Sequence, residues 1–281
     1  MITLSAYAKI NLFLEVTGRR PDGYHDIESI MQSISLADTV NISFSDKDEF
    51  YISDPALDTA DNIAIKAKEA FFAHLGQGRR GVRIEIEKRI PVAAGLAGGS
   101  ADCAAVLRGL NILFNKPFDA NTLCAIGKTL GADVPFCILC GTRMAKGIGE
   151  VLSPLTDMPQ CHIAVAIGEG RVSTRAAFEK IDSHTQRSIR SGREAVRALE
   201  SGSLDKISAA LFNVFEYAND YEADIKTVML NKGASSALMS GSGPSVFGLF
   251  DTAEKAEAAR EELKARGFTA HVCVPVKAND F

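Results

Sequence analysis

The sequence has no apolar run near the roughly 18 residues that a membrane helix needs. Its apolar N-terminal stretch is broken by Lys9, Asn11 and Glu15, so neither a spanning helix nor a signal peptide is read from it. It also lacks a basic excess: 31 Lys+Arg stand against 35 Asp+Glu, a net charge of −4, which argues against a chain that coats nucleic acid. Cysteine is sparse, with six residues scattered through 281. A chain of that length builds its core without disulfide staples, and a reducing cytoplasm is the expected compartment. Cys137 and Cys140 form a CxxC, but no second pair or spaced His pair accompanies them, and Val134, Phe136, Ile138 and Leu139 around them are apolar. Buried thiols are expected there rather than a metal or redox centre. The five histidines show no metal-ligand spacing either. The Walker GxxxxGK[ST] and dinucleotide GxGxxG signatures are missing; Gly127-Lys128-Thr129 imitates the tail of the first, but Thr122 stands where its leading glycine belongs. The HRD and DFG signatures of protein kinases are absent from any usable context.

What is present is glycine, 23 residues in all, gathered in clusters: Gly95, Gly98 and Gly99; Gly141, Gly147 and Gly149; Gly241, Gly243 and Gly248. Around them the hydrophobic pattern alternates between periods of two and of 3.6. Strands are predicted over Leu4–Val16, Ile27–Ser35, Val40–Phe44, Glu49–Ser53 and Val82–Glu87. Helices are predicted from Asn62 to about Leu75 behind an Asp61 N-cap, from Ser100 to Phe114, over Ala120–Leu130 and from Asp133 to Leu139. The turn-rich Ser153–Pro159 stretch suggests a boundary near residue 155. Beyond it the pattern reads as a strand at His162–Ile167, a helix at Thr174–Lys180, and helices near Arg193–Leu199, Leu204–Tyr217 and Tyr221–Leu230. It closes with strands at Ser236–Met239 and Val246–Phe250, a helix at Ala253–Arg266 and a strand at Phe268–Val276.

The segment 88–102 carries the most chemistry. A strand runs into Lys88-Arg89-Ile90-Pro91-Val92-Ala93-Ala94-Gly95-Leu96-Ala97-Gly98-Gly99-Ser100-Ala101-Asp102 and then into a helix. Small residues before a helix start let backbone N–H groups approach a polyanion, and the unsatisfied first-turn amides with the positive end of the helix dipole favour phosphate oxygens. Ser100 can add a hydroxyl donor. The plain alternative is a glycine-rich turn with a serine cap.

Pro91-x3-Gly95-Leu96-x-Gly98-Gly99-Ser100 between a strand and a helix resembles the phosphate loop of the GHMP kinases. Three further segments, Ala6–Leu12, Gly23–Ser29 and Gly131–Phe136, are similar in order and spacing to the branch that phosphorylates 4-diphosphocytidyl-2-C-methyl-D-erythritol. Met239–Ser245 resembles the C-terminal glycine loop of the superfamily. Ala97 departs from the pattern where the family commonly has Gly, and Ala101 where Ser is frequent; a methyl group at 97 is tolerated where that residue keeps a negative φ.

The resemblance implies a two-domain α+β fold. Its N-terminal domain (1–155) is β-rich and ribosomal-protein-S5-like, its C-terminal domain (156–281) is ferredoxin-like α/β, and the active site lies in the cleft between them. It implies transfer of the ATP γ-phosphoryl to the acceptor's 2-hydroxyl in non-mevalonate isoprenoid precursor biosynthesis, with Mg²⁺ carried by the ATP phosphates and no metal ligand fixed by the sequence. Asp133 is then the base and Lys9 the cation beside it. Asn62, Lys88 and residues Pro91 to Ala101 (Val92, Ala93, Ala94, Gly95, Leu96, Ala97, Gly98, Gly99 and Ser100 between them) meet ATP. Asn11, Tyr24, His25, Lys146, Phe178, Ser240, Gly241, Ser242 and Gly243 meet the acceptor, with His25 on the cytosine edge and Phe178 stacked on the base. Taken alone, Lys9 reads as a surface strand lysine, Asp133 as a helix cap, Phe178 as core and Lys146 as a solvated loop lysine. Asn62 then reads as a cap, Lys88 as an exposed strand end, Asn11 as a solvated strand residue and 240–243 as a tight turn. The implied partners are ATP and a small molecule, with no nucleic acid and no membrane; oligomeric state is left open. The rivals are another GHMP kinase of homoserine or mevalonate type, which the Gly23–Ser29 segment disfavours, and a non-catalytic ligand-binding regulator on the same fold, which Lys9 and Asp133 disfavour.

Overall fold

The computed structural model describes residues 1–76, 78–168, 173–183, 189–217 and 223–279. The chain opens with two long strands, β1 (Ile2–Arg19) and β2 (His25–Phe44), paired antiparallel along their whole length. The sequence reading splits β2 in two because the alternation falters around Ser35–Asp38; the strand continues there through register shifts that bend it without breaking the pairing. β3 (Glu49–Ile52), α1 (Ile63–Leu75) and β4 (Val82–Glu87) follow. α1 is capped by Asn62, whose Oδ1 accepts from the Ala64 amide at 2.9 Å; the expected cap, Asp61, instead pairs with Lys66. α2 (Gly98–Leu113), α3 (Ala120–Lys128) and α4 (Val134–Leu139) come next, and α2 starts two residues earlier than its composition suggests.

The hairpin of β5 (Thr142–Lys146) and β6 (Val151–Pro154) is not anticipated by the sequence, where two glycines and mixed polarity blur the alternation. After β7 (His162–Ile167), α5 (Thr174–Ser183), α6 (Arg193–Glu200) and α7 (Leu204–Ala209), the expected helix to Tyr217 breaks. Phe212–Asn213 form β8 and a single 3₁₀ turn follows. The apolar spacing at 204–217 fits a helix, but Phe212 and Asn213 gain more by pairing in parallel with Phe13 and Leu14 of β1. α8 (Ala223–Asn231) follows, and the predicted start at Tyr221 lies outside the described residues. β9 (Ser236–Met239), β10 (Ser245–Phe250), α9 (Ala253–Ala265) and β11 (Thr269–Cys273) complete the chain.

Two sheets result. The first runs β3-β4-β2-β1-β8, with the β5–β6 hairpin also on β2; the second is antiparallel in the order β11-β7-β10-β9. The larger core lies between the first sheet and α1 to α4 and includes Ile10, Ile30, Ile42, Ile84, Phe71 and Phe136, all fully buried. Burial of each such side chain is worth about 1.5–3 kcal/mol. A smaller core joins α8 and α9 to the second sheet through Ile225, Met229, Phe250 and Leu263. The six thiols are unpaired, and burial pushes Cys137 well above the ordinary thiol range. No helix among the described residues is long and apolar enough to cross a membrane.

Candidate active site

Lys9 sits at an irregularity of β1, where the register slips between Tyr7 and Lys9. Its amide, released from the ladder, donates to the Leu96 carbonyl at 3.1 Å and ties the strand to the glycine-rich loop. Its side chain is buried, and Nζ donates to Asn11 Oδ1 at 2.7 Å. Asn11 in turn donates to Ser29 Oγ at 2.8 Å, and Ser29 donates to the Phe13 carbonyl at 2.7 Å. The chain of bonds fixes the ammonium while leaving it a neutral partner. A buried cation whose partner among the described residues is a neutral amide has a strong field to offer an incoming anion.

Asp133 precedes α4 in the N-cap position, yet its φ/ψ of −82°/−12° is helical and its carboxylate makes no capping bond. That carboxylate lies on the wall of a cavity of about 700 Å³ that Lys9 and Asn11 also line.

The phosphate-loop segment forms another wall. Pro91 to Gly95, Ala97, Gly98, Gly99 and Ser100 face the cavity, whereas Leu96 and Ala101 are buried behind it. Ala97 takes φ 58° and ψ 31° with no side-chain cap on the helix, contrary to the negative φ under which its methyl group is tolerated. The loop has to reverse into α2 within one residue, and the left-handed region makes that turn. The uncapped first-turn amides of α2 are left at the cavity, a fit for phosphate oxygens.

The third glycine cluster packs directly on the first. A Cβ on Gly95, at φ +75°, would lie 2.6 Å from the Ser240 carbonyl, and one on Gly241 would lie 3.4 Å from Lys9 Nζ. Gly241 and Ser242 line the cavity. Their loop is held by Asn213, a buried residue that the sequence reading passes over: its Nδ2 donates to Met239 O at 2.8 Å and Gly241 O at 2.7 Å. Nothing local marks Asn213 for this role, because the two carbonyls it donates to lie more than 25 residues away and the β8 pairing brings them together.

The remaining residues divide. Phe178 on α5 lines the cavity, and its ring stacks on His25 at 4.6 Å between centroids and 14° between planes. His25 Nε2 lies 2.9 Å from Asp182 Oδ1. Tyr24 is exposed beside it. Lys146 projects from the β5–β6 hairpin with Nζ 3.7 Å from Glu28. Tyr24, His25, Lys146, Ser240 and Gly243 are not among the residues that line the cavity, while Asn62 and Lys88 are. Both amide ends of Asn62 are engaged in capping α1 and in bonding Leu57 O. Lys88 is buried between Asp38 and Asp102, at 2.5 and 2.6 Å.

An anion-ready helix start, a buried lysine and an unspent carboxylate around one cleft, on a two-domain α+β frame, define a small-molecule kinase of the GHMP class. Residues 62–141 match the profile described as GHMP kinases N terminal domain, and residues 195–268 that described as GHMP kinases C terminal. The 4-diphosphocytidyl-2-C-methyl-D-erythritol kinase of Caldicellulosiruptor bescii is 41% identical over 93% of this chain and 93% of its own; that of Lachnoclostridium phytofermentans is 42% identical over 94% and 93%. A crystal structure of 4-(cytidine 5'-diphospho)-2C-methyl-D-erythritol kinase superposes with a TM-score of 0.84 at 32% identity, covering 98% of this chain and 99% of that one. Mevalonate kinase from Methanococcus jannaschii, at 14% identity and a TM-score of 0.74, with 98% of each chain covered, shares the fold. The chain belongs to the 4-diphosphocytidyl-2-C-methyl-D-erythritol kinase family of GHMP kinases, which makes ATP its co-substrate.

Proposed function

We propose that the chain transfers the γ-phosphoryl of ATP to the 2-hydroxyl of 4-diphosphocytidyl-2-C-methyl-D-erythritol, giving the 2-phosphate and ADP, in non-mevalonate isoprenoid precursor biosynthesis. The observation that carries this reading is the shared cavity onto which Asp133, Lys9 and the first turn of α2 all open. Phosphoryl transfer is mostly positioning and charge stabilisation. The α2 amides and Ser100 hold the phosphates. Asp133 receives the proton of the attacking hydroxyl, and Lys9, oriented by Asn11, stabilises the developing alkoxide. The loop at 240–243 closes over the reacting groups, and Tyr24, His25 and Phe178 receive the cytosine.

Among the described residues no cluster of three His, Cys, Asp or Glu could hold a metal ion. Mg²⁺ would enter on the ATP phosphates and screen their charge, and no step above runs through it. The buried thiols and the mildly acidic charge support work in the cytoplasm on small molecules, without nucleic acid. We place the division between the two domains near residue 155.

The test is ADP release by the purified chain with ATP, Mg²⁺ and a panel of the cytidylated acceptor, homoserine and mevalonate. Turnover is expected on the cytidylated acceptor, and its absence there sinks the reading. Asp133→Asn should lower kcat by 10² to 10⁴ or so while ATP still binds; undiminished turnover removes Asp133 from the mechanism.

A further inference from the structure

Three charged side chains meet at the foot of the phosphate loop. Lys88 leaves β4, Asp38 belongs to β2 and Asp102 to the first turns of α2, and their side chains are 9%, 0% and 4% exposed. Lys88 Nζ donates to both carboxylates. Asp38 Oδ1 also accepts from the Arg89 and Ile90 amides, at 2.5 and 2.8 Å. The cluster therefore clamps the strand exit to the start of α2, the two ends between which the loop is strung. Lys88 Nζ would lie only 3.6 Å from a Cβ on Gly98.

The charges do not balance: two carboxylates share one ammonium in a dry setting on the wall of the cavity that receives a triphosphate. The two acids are also unequal. Asp38 has three donors. Asp102 has Lys88 as its one donor among the described residues; its Oδ1 is buried without a hydrogen-bond partner there, with the Asp38 carboxylate close by. A lone buried carboxylate oxygen is costly, and a proton on it removes the cost. Consistent with that geometry, burial and the charge of Asp38 push the Asp102 carboxyl up to about 8 against the opposing pull of Lys88. Burial works against the charged form of Lys88, but the two carboxylates outweigh it and hold the ammonium above its ordinary range. The charged groups that face Asp102 are Lys88 and Asp38; its neighbour Cys103 is a neutral thiol, pushed up to about 12 by burial. On the facing helix α1, Ile63 packs towards Gly99 of the same turn.

We propose that Asp38, Lys88 and Asp102 form a strut that positions the phosphate loop, that the loop takes ATP only while Asp102 carries a proton, and that Lys88 acts through this strut rather than as a phosphate ligand. This rests on the kinase reading above. When Asp102 is protonated the cluster is neutral. As pH rises through its folded pKa the cluster gains a negative charge beside the incoming phosphates, so ATP affinity falls; reciprocally, ATP binding at that pH draws in a proton.

The experiment is calorimetric titration of the whole chain with ATP between pH 7.5 and 9.5, for the wild type, Asp102→Asn, Asp102→Ala, Lys88→Met and the Lys88→Met/Asp102→Ala double variant, with thermal melting as a control for folding. The wild-type Kd should rise on the order of tenfold across that range, and Asp102→Asn, which keeps the neutral shape, should stay flat. Lys88→Met should weaken ATP binding much less in the Asp102→Ala background, where the link from Lys88 to α2 is already cut, than in the wild type. A flat wild-type profile, or an Asp102→Asn profile that follows the wild-type rise, overturns the proton. An equal cost of Lys88→Met in both backgrounds overturns the strut in favour of direct contact. Turnover on the cytidylated acceptor, measured separately at pH 7.5, reports on the kinase reading whatever the titrations give.

Discussion

Ala97 shows how much one backbone angle can matter in a loop. At φ 58° its Cβ crowds the neighbouring carbonyl, and the left-handed region costs an L-residue about 1–2 kcal/mol. Glycine takes that conformation freely but also has more freedom to lose on folding, so the two effects partly cancel. Ala97→Gly should still stabilise the chain by about 0.5–1 kcal/mol, a rise in melting temperature of roughly 1–2 °C for a chain of this size, measured by scanning calorimetry. A lower melting temperature would mean that the strain is absent. Gly95 is the opposite case, since any Cβ there meets the Ser240 carbonyl. The crowding of glycines between residues 95 and 99 was visible in the composition and pointed at the cavity wall. The angle at Ala97 was not visible, because an alanine with positive φ looks like any other alanine in a sequence.

At the scale of elements, β8 is the piece that joins the halves of the site. Two residues from the second half of the chain complete the first sheet, and from them Asn213 reaches the 239–241 turn that faces Lys9. Replacing Asn213 by Ala leaves two buried carbonyls without a donor, each costing about 1–3 kcal/mol, and frees the turn. We expect kcat to fall about tenfold with Asn213→Ala, with the KM for ATP little changed, and more with Asn213→Asp, whose carboxylate repels the same carbonyls. Steady-state kinetics on the two variants checks this, and an aspartate variant as active as the alanine one would exclude the donor role. The elements legible in the sequence were those whose signal is local. The alternation of Val82, Ile84 and Ile86 and the terminating Gly267 each carry their own meaning, and β4 and α9 follow them. β8 and the β5–β6 hairpin were not legible because their stability comes from partners far along the chain: β1 in one case, β2 in the other. Asp38, Asp102 and Asn213 escaped for the same reason, whereas Lys9 and Asp133 were marked only by the resemblance of the segments that hold them, and the phosphate loop by its small residues before a helix start.

For the whole molecule, the two sheets are bound together at a second place besides β8. Beyond β11 the chain crosses to the first half: Ser35 and Val274 exchange bonds, with the Ser35 amide on Val274 O at 2.9 Å and the Val274 amide on Ser35 Oγ at 3.0 Å. Gln32 donates to Val276 O at 2.9 Å, and Asn279 donates from backbone and side chain to Leu139 O and Ile138 O, both at 2.9 Å. The last two bonds satisfy carbonyls at the end of α4, the short helix whose beginning presents Asp133. Each bond is worth about 1 kcal/mol net, so together they are comparable to a sizeable part of the stability of a domain. The chain should therefore melt as one cooperative unit, with a calorimetric enthalpy equal to the van't Hoff value. Ending it after Cys273 should lower the melting temperature by about 10 °C and reduce kcat, although residues 274–279 do not line the cavity. Two resolved transitions in the full chain, or a truncated chain that melts and turns over like the full one, would show that the halves are independent and that α4 needs no support from the tail. A single transition that moves with the truncation would mean that the carboxylate at one end of α4 is held in place by hydrogen bonds made at the other.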